Sequence, residues 1–397
     1  MNFKTAWTLM YRYKGSNYSL DRIQRVLGHL NNPQDSYKTI HIAGTNGKGS
    51  LNSYMTHVLI YHGYNVGSYT SPAVFHPLEI IQVNQKRINQ KDFSRLFNII
   101  YNICLKEDVY LTSFEYMTVI AYLYFRERKV DYAVIECGCG GDNDATNMEK
   151  DNIAIFGDIS LDHVALLGPT IKDIIHHKAG IMRRKSIAFH FNEPSVNGDL
   201  KQEASQRGCQ LITVTEPLEI QLSMLGSHQK ENAAVIYAVA MYLGLDSTNT
   251  IQALKDTYLL GRISVYKEHT ILDGSHNPKA GMALVQTLKE FQKEKNCTFI
   301  LVLGMFKDKD YLEYIQILKD INPKKVYVFK TISERALAAE ELYAAFDKQA
   351  VISPSIEAAV KESLAYQKTV ENTYIVYSGS FSALNIIKGV IDHESYQ

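Results

Sequence analysis

The run His41-Ile42-Ala43-Gly44-Thr45-Asn46-Gly47-Lys48-Gly49-Ser50 follows a β-branched stretch, Lys38-Thr39-Ile40, and precedes a helix-like stretch from Leu51 to Ile60. A tight glycine turn between strand and helix leaves several backbone N–H groups without partners in the chain. Those donors, with the positive end of the helix, bind phosphate oxygens. Lys48 adds a mobile charge for the β- and γ-phosphates, and Ser50 can offer a hydroxyl to Mg²⁺. An ordinary strand-to-helix turn has no need of a lysine at that point. Gly44, Thr45, Asn46, Gly47, Lys48, Gly49 and Ser50 are therefore read as an ATP-binding loop.

Any anion site must be local, because Lys+Arg and Asp+Glu each count 42. No net field favours nucleic acid or an anionic membrane. No apolar run approaches the ~20 residues of a membrane span, and Met1-Asn2-Phe3-Lys4 lacks the apolar core of a secretory leader. Cys104, Cys137, Cys139, Cys209 and Cys297 are scattered and odd in number, and Cys137-Gly138-Cys139 has the wrong spacing for a zinc knuckle. They read as small buried residues in a reducing cytoplasm.

Short apolar runs alternate with amphipathic segments, the pattern of a mostly parallel sheet covered by helices. Strands are expected at Lys38–Ala43, Tyr132–Glu136, Ile153–Gly157, Ser186–Phe191 and Gln210–Val214. A second series is expected at Thr270–Leu272, Thr298–Leu303, Val326–Phe329, Val351–Ser353 and Tyr374–Tyr377, after a helical stretch from Glu231 to Leu243. The fold class is α/β: a P-loop-containing, mostly parallel-sheet ATP-binding domain over 1–262, then a smaller Rossmann-like α/β domain over 263–397.

Open parallel sheets bind ligands beyond the carboxyl ends of their strands. In this chain those ends carry Gly44–Lys48, Glu136–Gly141 and Asp158–His163, then Asp273–Pro278, Gly304–Asp310 and Gly379–Phe381. Six strand ends rich in Gly, Asp, His and Lys are expected to meet in a cleft between domains.

Together these residues resemble the folylpolyglutamate synthase / dihydrofolate synthase family of the Mur ligase superfamily, from Gly15…Leu20-Asp21-Arg22 to Gly379-Ser380-Phe381. The most specific pieces are Gly44–Ser50, Asp144-Ala145-Thr146-Asn147, Leu161-Asp162-His163, Lys178-Ala179-Gly180-Ile181, Asp273–Pro278 and Asp308-Lys309-Asp310. The resemblance implies ATP-driven amide formation between a folate or pteroate carboxylate and the amine of L-glutamate. The carboxylate is first phosphorylated; the amine then expels phosphate. No protein nucleophile is needed, so the work is positioning and charge neutralisation.

By resemblance, Lys48 and the loop amides hold phosphates, Ser50 and Glu136 bind one Mg²⁺, and His163 binds a second. Lys178 matches a lysine that the family carbamylates, turning a cation into a carboxylate-like anion; outside that motif it reads as a surface lysine. Arg262, Asp273, His276 and Asn277 match residues on the nucleotide from the second domain, and Asn232 matches an adenine-side asparagine. Ser71, Pro72, Phe114, Glu115 and Asp144 match the substrate side, with Thr112 beside them. Family members are commonly monomers with small-molecule partners only.

The substrate loop departs from the family pattern. The usual Thr-Ser-Pro-His reads Thr70-Ser71-Pro72-Ala73, with His76 close by, and a family arginine is Ile80. The arginine expected after the Gly-rich turn is Asp142. Each lost arginine removes a bidentate carboxylate donor, worth roughly 1.5–3 kcal/mol. An amide ligase for another carboxylate therefore stays open beside the folate reading, as does a simple phosphotransferase. Retention of Lys48, Glu136, His163, Lys178, Asp273 and His276 argues against a binding-only protein. A dinucleotide oxidoreductase is disfavoured, because Gly138-Cys139-Gly140-Gly141 lacks the third glycine at its proper spacing.

Overall fold

The computed structural model describes residues 1–13, 19–267 and 269–394; Gly15 lies outside them. The chain divides into two compact units, one of Met1–Ala73, Pro77–Gln221 and Glu231–Thr257, the other of Val74–His76, Leu222–Lys230 and Tyr258–Gln397. No described helix is long and apolar enough to cross a membrane.

The first unit holds an eight-stranded sheet: β1 (Lys38–Ala43), β2 (Val66–Tyr69), β3 (Ile81–Val83), β4 (Lys86–Arg87), β5 (Tyr132–Glu136), β6 (Ile153–Phe156), β7 (Ile187–Phe191) and β8 (Gln210–Val214). Their order is β4-β3-β2-β5-β1-β6-β7-β8, parallel except for β3 and β4 at one edge. β5 is buried throughout and β1 at all but its first residue, as expected where helices cover both faces of a parallel sheet. β1 lies between β5 and β6, so the chain reverses its winding direction there. That switch point puts the phosphate loop between the loops that leave β5 and β6.

The expected strands form with ends shifted by at most one residue, while β2, β3 and β4 carry no long apolar run and fall outside the expected set. Gly67 in β2 is dictated by packing, since a Cβ there would lie 2.7 Å from the Phe125 ring. The phosphate-loop helix starts earlier than expected, at Lys48, and runs to Tyr61. Asn52 fixes this buried helix to the sheet: its amide donates to the carbonyls of Tyr69 and Val134, and its oxygen accepts from Ser68.

The second unit holds β9 (Ser264–Val265), β10 (Thr270–Leu272), β11 (Thr298–Leu303), β12 (Lys325–Val328), β13 (Val351–Ile352) and β14 (Thr373–Ser378). Their order is β13-β12-β11-β14-β10-β9, with only β9 antiparallel. Val74 and Phe75, from the loop that departs from the family pattern, pack against this unit's apolar core, which explains apolar residues at that loop's tip.

Candidate functional site

The phosphate loop is held from both ends of its turn. Thr45 and Asn46 donate their backbone N–H groups to the Asp158 carbonyl at 2.6 and 3.2 Å, and the Asn46 amide donates to the Asp158 carboxylate at 2.9 Å. The Thr45 hydroxyl donates to the Ser160 carbonyl and accepts from the Ser160 N–H. Gly47 caps the following helix with a left-handed backbone, φ +84°, and no side chain occupies the cap. A Cβ on Gly47 would meet the Asn232 side-chain oxygen at 3.2 Å, so Asn232 lies against the loop. The first-turn N–H groups of the helix precede its first intrahelical bond and suit an anion.

Two lysines converge behind this loop. Lys48 Nζ donates to the carbonyls of Gly44 at 3.0 Å and Thr45 at 3.3 Å. Lys178 Nζ donates to the same Gly44 carbonyl at 2.8 Å. Lys178 ends the helix Ile171–Ala179, which starts with a Thr170–Asp173 capping box, and only 4% of it is exposed. Burial, and then the Lys48 charge, push its ammonium down to about 8. It is not the surface lysine that its basic neighbours in sequence suggest.

A small open cleft lies over these groups, lined by Gly44, Thr45, Lys48, Lys178, the turn Cys137–Gly140, Asp162, His163 and Leu167. His163 caps a short helix with left-handed backbone, φ +52°, and its N–H donates to the Asp162 carboxylate at 2.9 Å. Phe114 lies on Gly138, where a Cβ would come within 2.5 Å of its ring. Gly141 packs on the last turn of the Lys178 helix; a Cβ there would stand 2.6 Å from the His177 oxygen. Cys137, Gly138, Cys139, Gly140, Asp162 and Leu167 are additions to the expected site residues, although the strand-end rule already points to their loops.

The proposed metal ligands Ser50 and Glu136 are buried, one in the first turn after the loop and one at the end of the neighbouring strand β5. Glu136 accepts from the Ser71 N–H at 3.4 Å, which places Ser71 beside the same carboxylate; Pro72 follows across a cis peptide bond. Among the described residues no three His, Cys, Asp or Glu side chains gather as a metal cage. A hydroxyl and a carboxylate fit Mg²⁺, which keeps waters and takes the rest of its shell from phosphates.

Two of the residues expected on the substrate side also hold the fold. Glu115 is buried, completes a capping box with Thr112, and pairs with Arg22 at 3.2 Å. Asp144 is buried, with one oxygen accepting from the Cys139 N–H and the other from the Thr146 N–H and hydroxyl. Both carboxylates are correspondingly occupied with holding loops. Asp142, in place of the family arginine, accepts from Arg207 at 3.3 Å.

In the second unit, Asp273 is buried and accepts from the N–H groups of Ile263 and Ser275, and burial raises its carboxyl above the ordinary range. His276 Nδ1 donates to the Gly274 carbonyl at 2.8 Å. Asn277 caps the helix Pro278–Lys295 by accepting from the Ala280 N–H, with Pro278 at the first helical position. The Arg262 guanidinium stacks 4.1 Å above the Phe381 ring.

Residues 42–217 match the Mur ligase middle domain, and residues 261–381 match the Mur ligase glutamate ligase domain. The dihydrofolate synthase/folylpolyglutamate synthase of Bacillus subtilis (strain 168) is 30% identical over 367 residues, covering 83% of this chain and 85% of the relative. The structure of E. coli FolC in complex with DHPP and ADP is 26% identical with a TM-score of 0.90, over 100% of this chain and 99% of that one. The Yersinia pestis bifunctional folylpolyglutamate synthase/dihydrofolate synthase, complexed with AMPPNP and Mn ion, is 25% identical with a TM-score of 0.89, over 99% and 98% of the two chains. With both Mur ligase domains in order and a relative 30% identical over most of both chains, this chain belongs to the folylpolyglutamate synthase/dihydrofolate synthase family.

Proposed function

We infer that this chain joins L-glutamate to a folate carboxylate at the expense of ATP, and we assign the parts of that reaction to its residues. The observation that carries the assignment is the convergence of Lys48 and Lys178 on one loop carbonyl at the floor of a cleft. The chain is an ATP-dependent ligase that uses nucleotide with a divalent metal. A folate carboxylate attacks the γ-phosphorus, ADP leaves, and an acyl phosphate forms. The glutamate amine attacks the acyl carbon, loses a proton, and phosphate departs.

Gly44–Ser50 form the triphosphate loop, with the N–H groups that follow Asn46 directed at its oxygens, and Lys48 neutralises charge that grows on the transferring group. Ser50 and Glu136 would hold one Mg²⁺, and His163 with a carbamylated Lys178 a second. Bound there, the ions would polarise phosphate oxygens. Carbamylation needs an uncharged amine, and the lowered Lys178 provides one. Asn232, Arg262, Asp273, His276 and Asn277 are assigned to the nucleotide. Asp273 and Asn277 act by fixing the turn that presents His276. Ser71, Pro72 and Phe114 are assigned to the folate side, with Glu115 and Asp144 holding the loops beneath it. We assign the chain to the cytoplasm, in keeping with cysteines that are scattered and mostly buried. We assign a monomer, the common state of the family, with small-molecule partners only.

The test is an ADP-release assay pairing L-glutamate with dihydropteroate, tetrahydrofolate and folates already bearing glutamate, with products read by mass. Glutamate-dependent ADP release with one added glutamate on a pteridine is expected. ADP release on none of them would move the assignment to another carboxylate.

A further inference from the structure

Beneath the cleft, the first unit buries a polar group that the reaction does not use. His41 in β1 and Glu149, just after the Asp144-Ala145-Thr146-Asn147 turn, are almost fully enclosed. Their facing atoms, His41 Nδ1 and Glu149 Oε2, lie 3.6 Å apart, and neither has a hydrogen-bond partner. Two lone pairs facing each other in a dry interior would be costly, so a proton belongs between them.

The neighbouring bonds fix where each proton sits. Asp144 is an acceptor, taking the Cys139 N–H at 2.8 Å on one oxygen and the Thr146 N–H at 3.0 Å on the other. The Thr146 hydroxyl, 2.5 Å from Asp144 Oδ1, is therefore the donor of that pair. Having spent its hydrogen, Thr146 Oγ1 accepts from His41 Nε2 at 2.9 Å, with the Cys137 sulfur beside it at 3.1 Å. The imidazole then carries its proton on Nε2, and Nδ1 is a bare acceptor. Only a protonated Glu149 can satisfy it. The other Glu149 oxygen lies 2.7 Å from the Tyr122 hydroxyl and shares its single hydrogen with the Thr146 carbonyl at 2.8 Å, so the Glu149 proton is assigned to Oε2 on the bare His41 Nδ1 facing it.

The surroundings agree. Tyr122 from the helix Ser113–Glu127, Tyr37 before β1, Asp144 from the loop and Arg183 after the Lys178 helix are the titratable groups facing the pair. Arg183 Nε binds the Glu149 backbone carbonyl at 2.8 Å and not its carboxyl. Burial pushes the Glu149 carboxyl up to about 7 and the His41 ring down to about 3.

We propose that Glu149 is a protonated donor at the head of a directed hydrogen-bond relay, Glu149 to His41 to Thr146 to Asp144, which positions the Cys137–Gly141 turn of the nucleotide cleft. These are positioning residues. The relay ends on the Cys139 N–H, inside the turn that lines the cleft and follows Glu136. The proposal builds on the nucleotide reading of that cleft but has a readout of its own.

Infrared difference spectra of wild type and Glu149→Gln at neutral pH should show loss of a protonated-carboxyl band, and ¹⁵N NMR should show His41 with its proton on Nε2. An ionised Glu149, or a proton on His41 Nδ1, would overturn the relay. Both are read without turnover, so they stand whether or not the ligase assignment does. In the ADP-release assay, Glu149→Gln should stay near wild type, because an amide N–H replaces the acid. Thr146→Val should lower kcat by about 10–100-fold, as loss of a supporting hydrogen bond does at comparable sites, and Thr146→Ser should restore it. Equal rates for Val and Ser would also overturn the proposal. Should the valine variant not fold, the two spectra on wild type and Glu149→Gln decide alone.

Discussion

Lys48 and Lys178 donate to one oxygen, the carbonyl of Gly44, from the start of one helix and the end of another. Two ammonium groups on a single acceptor repel each other, and the more buried one gives way. An ammonium has no lone pair for carbon dioxide, so Lys178 can be carbamylated only in its neutral form. In bicarbonate-limited buffer, turnover should rise as pH passes about 8 and respond to added bicarbonate. Lys178→Ala should cut turnover by about 10²-fold, with partial recovery in acetate. Carbon-13 NMR with labelled bicarbonate checks the adduct directly; a rate indifferent to bicarbonate would count against it.

The same group makes a stability prediction. Unfolded, this lysine keeps its proton up to its ordinary 10.5; folded, it loses it near 8. Between those values the unfolded chain binds more protons, so this group's contribution to stability rises with pH. Its cost is fully present below about 8 and is removed as pH approaches 10.5. Thermal melts of wild type against Lys178→Met across that window should converge as pH increases.

Removing the Lys48 charge should be a catalytic lesion and not a folding one, because the side chain is only half-buried and its partners are loop carbonyls. Lys48→Ala is expected to lower kcat by about 10²–10³-fold. Its circular dichroism and melting temperature should stay close to wild type. A variant of near-normal rate would contradict the phosphate-loop assignment.

Glycines in the first unit separate contact from conformation. Gly141→Ala forces a methyl to within 2.6 and 2.7 Å of the His177 and Lys178 carbonyl oxygens. Backbone cannot rotate away as a side chain can, so a loss of about 1–3 kcal/mol is expected, with reduced turnover because the displaced peptide carries Lys178. Gly198→Ala, within the helix Pro194–Arg207 and with nothing in reach of its Cβ, should instead stabilise by about 0.5–1 kcal/mol. Melting temperatures of the two variants check the pair.

Glu115 distinguishes a cap from a ligand contact. Its carboxylate accepts the Thr112 N–H at 2.6 Å and pairs with Arg22. Glu115→Ala should therefore cost roughly 1–3 kcal/mol, read in urea melts. A raised KM for folate with unchanged stability would return Glu115 to the substrate.

The features legible in the amino-acid sequence are those that depend on local order. β1, the loop and its helix are contiguous, so strand, glycine turn and lysine reveal an anion site directly. β5, β6 and the second series stand out as apolar runs because a parallel sheet buries both faces. β2 does not, since Val66-Gly67-Ser68-Tyr69 has a glycine demanded by Phe125, a residue far along the chain. The burial of Lys178 is hidden for a similar reason. Its sequence neighbours His176, His177, Arg183 and Arg184 are polar, and its burial comes from docking its helix on Gly141 and carrying its ammonium to the distant Gly44 carbonyl. Motif spacing singles out Asp144 and Glu115, but the fold gives them loops to hold. His41 is open to a better reading: a residue inside a strand covered on both faces has to be buried and therefore partnered.

The stitching of Thr45 and Asn46 to Asp158 and Ser160 has one more implication. A triphosphate meets donors whose directions were settled when the protein folded, so the entropy of arranging them is not subtracted from affinity. The amide hydrogens of Thr45 and Asn46 are already occupied, which reserves them for architecture and leaves capture to the residues that follow. Deuterium uptake at those two amides should be slow before nucleotide arrives and change little afterwards.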